Sequence, residues 1–172
     1  RNSSVAWAAV WASSAALYYA ADLSLSGNQT LTIDGPVVLV VSGDLTISNT
    51  ARIHLTATGS LRVHVGGDLA INGNGILNDT KLPRKLVIIS TGNPYDTYGM
   101  DTNTPFYGVI YTPVSSLTVN KSQTIFGAIV AKAVTFNASP VLHYDLALRK
   151  TLIEGFDTPF AIADWQEAAD GI

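Results

Sequence analysis

The sequence has little or none of several residue types, and each shortage excludes a class of protein. It has no cysteine among 172 residues, so disulfides, thiolate metal sites and cysteine nucleophiles are excluded. Charged residues make up only 13% of the chain, whereas an average soluble domain contains roughly 25%. Because ten basic residues stand against thirteen acidic ones, the chain cannot form the positive stripe that binds nucleic acid.

Apolar residues are abundant, at 47% of the chain, together with 14 glycines and 7 prolines. Disordered chains combine high charge with few apolar residues, so this composition predicts a folded protein. The length matches one domain with a substantial core, and we treat residues 1–172 as a single domain.

An internal repeat organises the middle of the chain. The segments DLSLSG, DLTISN and DLAING begin at Asp22, Asp44 and Asp68, which gives a repeat length of about 22–24 residues. The phase continues in four apolar runs that open at equal intervals, at Val37, Leu61, Lys85 and Val109.

Short segments within each repeat alternate apolar and polar residues, which is typical of β-strands. Three such strands per repeat, with Gly, Asn and Ser at the corners, predict an all-β protein: a parallel β-helix, or β-solenoid, of about five coils of roughly 20–24 residues. We place the solenoid at residues 21–148. The competing fold is an antiparallel sandwich or barrel of hairpins, with one hairpin about Thr58 and Gly59, but hairpins require no fixed repeat length.

The segment before the repeat, Val5–Ala20, contains no charged residue, and Trp7 and Trp11 lie four positions apart. We predict that residues 1–20 form an apolar helical cap over the open end of the solenoid. The run is shorter than the roughly 20 residues that span a bilayer. We therefore expect membrane contact only if a hydrophobic helix precedes Arg1.

The segment after the repeat, residues 149–172, is predicted to cap the other end. A short helix over LALRKTLIEG and a strand from Phe160 to Trp165 fit its pattern.

One strand of the repeat is missing from the sequence pattern. The next step of the repeat after Leu69 falls at Asn93, within a segment that has two prolines and two glycines, so we predict a loop excursion over residues 91–106. Loops on a rigid scaffold often carry binding residues. Aromatic rings and oxygen ligands make this loop the candidate binding site, with Tyr95, Asp96, Tyr98, Asp101, Asn103 and Phe106 as its residues.

Hydroxyl side chains are predicted to form an outward column along one face. A regular array of threonines is a candidate surface for ice or a crystalline glycan, although Ala70 interrupts this one. Its members are Ser24, Thr46, Thr118 and Thr135.

The three repeated aspartates are expected to cap turns by accepting backbone hydrogen bonds. A calcium ladder is the alternative, but acidic repeats of that kind have a period of about nine residues. His54, His64 and His143 are expected to be exposed or structural, and we predict no metal site and no cofactor.

Catalysis is the least favoured hypothesis. A glycosidase needs two positioned carboxylates, whereas the outward strand positions here are mostly Ser, Thr, Asn and Ala. The two glutamates, Glu154 and Glu167, both lie in the C-terminal segment.

The ordered motifs of residues Leu23–Glu167 resemble the C-terminal domains of PilX-like pilus assembly proteins. The resemblance lies in the segments GDLTIS, GSLRVHVGGDLAINGNGILN, KLVIIS, FYGVIYTP, FGAIVAKAVTFN, LHYDLAL and ADWQE. A weaker similarity links residues 108–137 to microbial ice-binding solenoids.

The resemblance implies a non-enzymatic β-solenoid at the bacterial cell surface. We expect an extracellular structural or adhesive module whose partners are other surface or pilus subunits, or a second copy stacked into a filament. A solenoid that binds glycan or ice is the first alternative, and a polysaccharide-active enzyme is the second.

Overall fold

The computed structural model describes residues 5–8, 15–94, 96–102 and 104–150. Strands dominate these residues, and two short 3₁₀ helices accompany them. The strands are β1 (Val5–Ala8), β2 (Ala16–Ala20), β3 (Leu23–Leu25), β4 (Thr30–Asp34), β5 (Pro36–Val41), β6 (Leu45–Ile47), β7 (Arg52–Leu55), β8 (Ser60–Val65), β9 (Leu69–Gly73), β10 (Ile76–Asn78), β11 (Leu86–Ser90), β12 (Thr97–Thr102), β13 (Phe106–Val119), β14 (Thr124–Phe136) and β15 (Val141–Tyr144). The 3₁₀ helices are Pro83–Lys85 and Leu146–Lys150.

The strands form a parallel β-solenoid of about five turns, which confirms the predicted fold class. Face A contains β1, β4, β7 and β10; face B contains β2, β5, β8 and β11; face C contains β3, β6, β9 and β12. The long strands β13 and β14 run on from face B into face C, with an irregularity in their pairing between Thr112 and Ser116. Every pairing among the described strands is parallel.

The segment around Thr58 and Gly59 is a corner between two faces rather than a hairpin. The strand before it, β7, pairs with β4 and β10, whereas β8 after it pairs with β5 and β11. A Cβ on Gly59 would contact the carbonyl oxygen of Ile33 in the preceding coil, so this tight corner requires glycine.

The length of the coil is less constant than the sequence indicates. Val37 pairs with Leu61, as the repeat phase predicts, but Leu61 pairs with Leu86 rather than Lys85. Residues 79–85, with the 3₁₀ helix Pro83–Lys85, lie between β10 and β11 and shift the register by one residue. The next coil is shorter, because Val87 pairs with Val109.

Aliphatic side chains from successive coils stack in columns inside the solenoid. Leu45 and Ile47 on β6 are fully buried and lie in register with Leu69 and Ile71 on β9. Because their outward neighbours Thr46 and Ala70 are only partly buried, the strands alternate as the sequence pattern predicts.

The predicted N-terminal helix is wrong for the residues of this segment that the structure describes. Ala16–Ala20 forms β2 and pairs in register with Val37–Val41, and Val5–Ala8 forms β1 on face A. Leu17 and Tyr19 point outward while Tyr18 and Ala20 pack against the core. The uncharged composition of Ala16–Ala20 is compatible with a helix or a strand, and these residues form a strand because they pair with β5.

The predicted loop over residues 91–106 is also wrong in its main part. Thr97–Thr102 forms β12, which pairs with β9 on one side and with β13 on the other. Tyr98, Met100 and Thr102 point inward and are buried, and Gly99 and Asp101 alternate with them. The strand is therefore present, but it lies later in the chain than the repeat predicts, because Leu69 pairs with Tyr98 rather than with Asn93.

The C-terminal prediction falls mostly outside the described residues. The helix expected after Asp145 corresponds in part to the 3₁₀ helix Leu146–Lys150, and the strand from Phe160 to Trp165 lies beyond the described part of the chain. Among the residues that the structure describes, no helix has the length and apolar character needed to cross a membrane.

Candidate functional site

The repeated aspartates form a hydrogen-bonded ladder at the corner between faces B and C. The Asp44 amide donates to Asp22 Oδ1 at 2.9 Å, the Asp68 amide donates to Asp44 Oδ1 at 2.9 Å, and the Thr97 amide donates to Asp68 Oδ1 at 2.6 Å. Each carboxylate thus satisfies a backbone donor of the following coil. This confirms that the aspartates accept backbone hydrogen bonds, and it shows that they do so between coils.

Glycines precede the aspartates because the ladder leaves no room for a side chain. A Cβ on Gly43 would collide with the Asp22 carboxylate, and a Cβ on Gly67 would collide with the Asp44 carboxylate. The glycine and the aspartate at these corners therefore act together. The ladder requires the aspartate of one coil and the glycine of the next.

The remaining aspartates of the described residues also have polar partners, some in a neighbouring coil and some nearby in the chain. The Thr56 hydroxyl donates to Asp34 Oδ1 at 2.8 Å, the Thr58 hydroxyl donates to the same atom, and these bonds lower the pKa of Asp34. The other contacts join Asp79 to His54 at 2.7 Å, Asp96 to the Asn93 amide at 2.6 Å, Asp101 to Lys121 at 3.4 Å and Asp145 to the Ala147 amide at 2.9 Å.

The three histidines occupy three different surroundings on the outer surface. His54 Nε2 lies 2.7 Å from Asp79 Oδ2 on face A. His64 is partly buried on face B, where desolvation and then the Arg62 charge lower its pKa. His143 stacks on Phe126, which stacks in turn on Tyr107, with ring centroids 4.8 and 4.6 Å apart. In the described residues, no group of three metal-ligating side chains is brought together.

The six residues of the predicted ligand-binding loop do not lie on one surface. Tyr98 and Phe106 are buried in the core, so their rings offer no face for stacking. The Tyr98 hydroxyl donates to the carbonyl oxygen of Val65 at 3.3 Å, and burial raises the Tyr98 pKa. Asp96 closes a turn with Asn93, and Asp101 lies on β12. The remaining two, Tyr95 and Asn103, lie outside the described residues.

The residues of the predicted hydroxyl column lie in register along face C. Ser24 pairs with Thr46, and Thr118 pairs with Thr135. Ala70 and Gly99 stand between these two pairs, so two successive coils carry no hydroxyl. The column is therefore two separated patches rather than a continuous array.

The outer surface of face B is largely apolar, a property that is absent from the predictions above. Two columns run in register along it: Leu17, Val38, Arg62, Val87, Val109 and Ala128, and beside them Tyr19, Val40, His64, Ile89, Tyr111 and Val130. The signal was present in the runs VVLVV and LVII, because strands that are apolar on both faces are usually covered on both faces.

The C-terminal end of the described chain covers part of this outer surface. Leu148 is 3% exposed and packs in a cluster with Val87, Ile89 and Val109. The opposite end of face B is open: Leu17 is 52% exposed and Tyr19 is 74% exposed.

A cavity of about 190 Å³ lies at the N-terminal end of the core. It is lined almost entirely by apolar side chains, which come from β2, β3, β4 and β5. The cavity lies where the first coil covers the core incompletely, and no charged side chain lines it. The lining residues are Tyr18, Tyr19, Ala20, Leu23, Leu31, Ile33, Val37 and Leu39.

A protein-family model matches most of the chain. Neither the curated proteins nor the solved structures contain a match to this chain. The model of a family described as a domain of unknown function, DUF7305, matches residues 9–151, which include all of the solenoid from β2 to β15. The chain therefore belongs to the DUF7305 family.

Proposed function

We propose that the chain is a non-catalytic structural or adhesive module of a bacterial extracellular protein that is associated with a pilus or another surface assembly. The main support for this proposal is that the described carboxylates are engaged in contacts within the fold. All eight aspartates of the described residues contact a backbone amide, a hydroxyl, an imidazole or an ammonium group, and glutamate does not occur among these residues. Their chemistry serves coil-to-coil and local contacts.

A parallel solenoid suits a mechanical role. The first coils are hydrogen-bonded to one another along three faces, the later ones pair through β13, β14 and β15, and the aspartate ladder adds a bond at one corner. Such stacking transmits force from coil to coil and holds exposed side chains at fixed spacing. The resemblance of residues 23–167 to PilX-like domains supports placing this scaffold at the cell surface, with surface or pilus subunits or a second copy as partners.

A glycan-binding or ice-binding solenoid is the second candidate. Two pairs of hydroxyl residues in register on face C favour this candidate: Ser24 with Thr46, and Thr118 with Thr135. The two coils without a hydroxyl, at Ala70 and Gly99, weigh against an ordered water lattice along the whole face.

Surface labelling of cells that carry the native gene tests the proposal. An epitope-tagged protein is expected to be accessible to antibody on intact cells, and the variant Gly67→Ala, which disturbs the ladder, is expected to reduce surface assembly or adhesion. The matched variant Gly99→Ala, where a Cβ has ordinary room, is the control. Labelling only after permeabilisation contradicts the location. Hydrolysis of a polysaccharide that is lost on substitution of an outward aspartate contradicts the non-catalytic role.

A further inference from the structure

The outer side of face B is covered at one end and open at the other. Its outward residues at the N-terminal end are Leu17 and Tyr19 on β2 and Val38 and Val40 on β5, followed by Arg62 and His64 on β8. We define these six residues as the open B surface.

Leu148 marks where the chain reaches this surface. It is buried against Val87 and Ile89 on β11, the strand next to β8, and against Val109 on β13, the strand on the other side of β11. The chain passes from β15 at the last coil to this contact, so it runs back along the solenoid toward the first coil.

Enough chain follows to cover the rest of the face. Adjacent strands lie about 4.8 Å apart, so β2 is about 15 Å from β11 across three strand spacings. Residues 151–172 span up to roughly 70 Å when extended, several times that distance.

The composition of this segment complements the open B surface. Residues 151–172 contain five acidic residues and no Lys or Arg, whereas residues 1–150 contain all ten basic residues and eight acidic ones. The segment also carries the apolar residues that a half-apolar face requires: Leu152, Ile153, Phe156, Phe160, Ile162 and Trp165.

Arg62 gives the surface a charged centre. Its Nε is buried and lacks a hydrogen-bond partner among the described residues. The guanidinium group is a permanent positive charge on a largely apolar face, so an incoming carboxylate would be stabilised here by a charge-assisted hydrogen bond.

We propose that the open B surface binds the chain's own C-terminal segment, residues 151–172, with apolar side chains over the Leu17–Val38 and Tyr19–Val40 columns and an acidic residue at Arg62. The segment thereby covers the outer face of B and leaves face C exposed. This inference does not depend on the proposed surface role.

Photo-crosslinking of the full chain tests the proposal. p-Benzoyl-phenylalanine replaces Tyr19, an exposed aromatic residue of the open B surface, and in the control it replaces Ser24, an exposed residue of the same coil on face C. The position 19 probe is expected to crosslink to peptides of residues 151–172 with at least fivefold higher yield than the position 24 probe. Equal yields, or crosslinks from position 19 to other peptides only, overturn the proposal.

Two further measurements define the contact. In a mixture of ¹⁴N and ¹⁵N protein, crosslinked peptides are expected to carry one isotope only; mixed pairs indicate a second copy and overturn docking within one chain. Arg62→Gln is expected to lower the position 19 yield at least threefold, whereas Arg52→Gln on face A leaves it unchanged. Equal effects of the two variants overturn the role of Arg62, and circular dichroism checks that both variants fold.

Discussion

The carboxylate of Asp44 accepts a hydrogen bond from the backbone amide of Asp68, the equivalent residue of the following coil, at 2.9 Å. The Asp44 amide donates in turn to Asp22. Asp44 therefore joins three coils through one residue. Because this link connects corners rather than strands, it keeps the coils in register even where the segments between corners differ in length.

Loss of the Asp44 carboxylate is expected to destabilise the solenoid moderately. Asp44→Ala leaves the Asp68 amide without its acceptor and should lower the free energy of unfolding by about 1 kcal/mol, since the site is exposed. Asp44→Asn keeps an oxygen acceptor and should cost less than half of that. Chemical denaturation measures both values, with Ser24→Ala on face C as the control. Equal losses for Ala and Asn would show that the hydrogen bond does not contribute.

Glycine is expected to be essential at the ladder corner and dispensable on the outer face. Gly67→Ala places a Cβ against the Asp44 carboxylate and 2.9 Å from the Gly43 carbonyl carbon, so it should lower the free energy of unfolding by at least about 2 kcal/mol. Gly99→Ala meets its nearest atom, the Leu69 carbonyl oxygen, at 3.8 Å and should change stability by less than about 0.5 kcal/mol. Thermal unfolding compares them, and similar melting temperatures contradict the prediction.

Tyr98 is expected to behave as a core residue rather than a ligand-binding one. Tyr98→Phe removes the hydrogen bond to the Val65 carbonyl oxygen and should cost about 1 kcal/mol. Tyr98→Ala also leaves a cavity and should cost roughly 3–5 kcal/mol. Urea denaturation measures both. Unchanged stability of Tyr98→Ala would contradict the burial of Tyr98 and would support the hypothesis of an exposed ligand-binding loop.

Asp34 is expected to contribute to the loss of stability in acid. The Thr58 and Thr56 hydroxyls stabilise its charged form and lower its pKa in the folded state below the value in the unfolded chain. The unfolded chain therefore binds the proton more readily, and this contribution is fully present above the unfolded pKa near 3.8 and disappears as the pH falls through the folded value.

The measurement is the free energy of unfolding between pH 5 and pH 2 for the wild type and Asp34→Asn. The variant should show a smaller decrease over this range. An Asp101→Asn variant controls for general loss of negative charge, and identical slopes for wild type and Asp34→Asn contradict the assignment.

The repeat itself could be predicted from sequence because its signals are local and periodic. Leu45 and Ile47 alternate with polar residues, and the aspartates recur at nearly equal intervals, so the parallel solenoid and the aspartates' role as acceptors of backbone hydrogen bonds follow from the pattern. The exposed hydroxyl column was likewise predictable, since side chains on a strand alternate between faces.

The errors arose where tertiary pairing overrides local composition. Thr97–Thr102 contains Tyr, Gly, Met and Asp rather than aliphatic residues, and only pairing with β9 and β13 makes it a strand. Leu86 replaces Lys85 in the register because residues 79–85 insert between two strands. The loop prediction makes the rings of Tyr98 and Phe106 available for stacking, whereas β12 and β13 place these two residues in the core.

The repeated carboxylates serve as links between coils, and a through-hydrogen-bond NMR coupling tests this role most directly. Correlations are expected from the backbone ¹⁵N of Asp44, Asp68 and Thr97 to the ¹³Cγ of Asp22, Asp44 and Asp68, respectively, and they should persist when calcium is added. Absent correlations, together with carboxylate shifts that move on calcium addition, would contradict the structural role of the ladder.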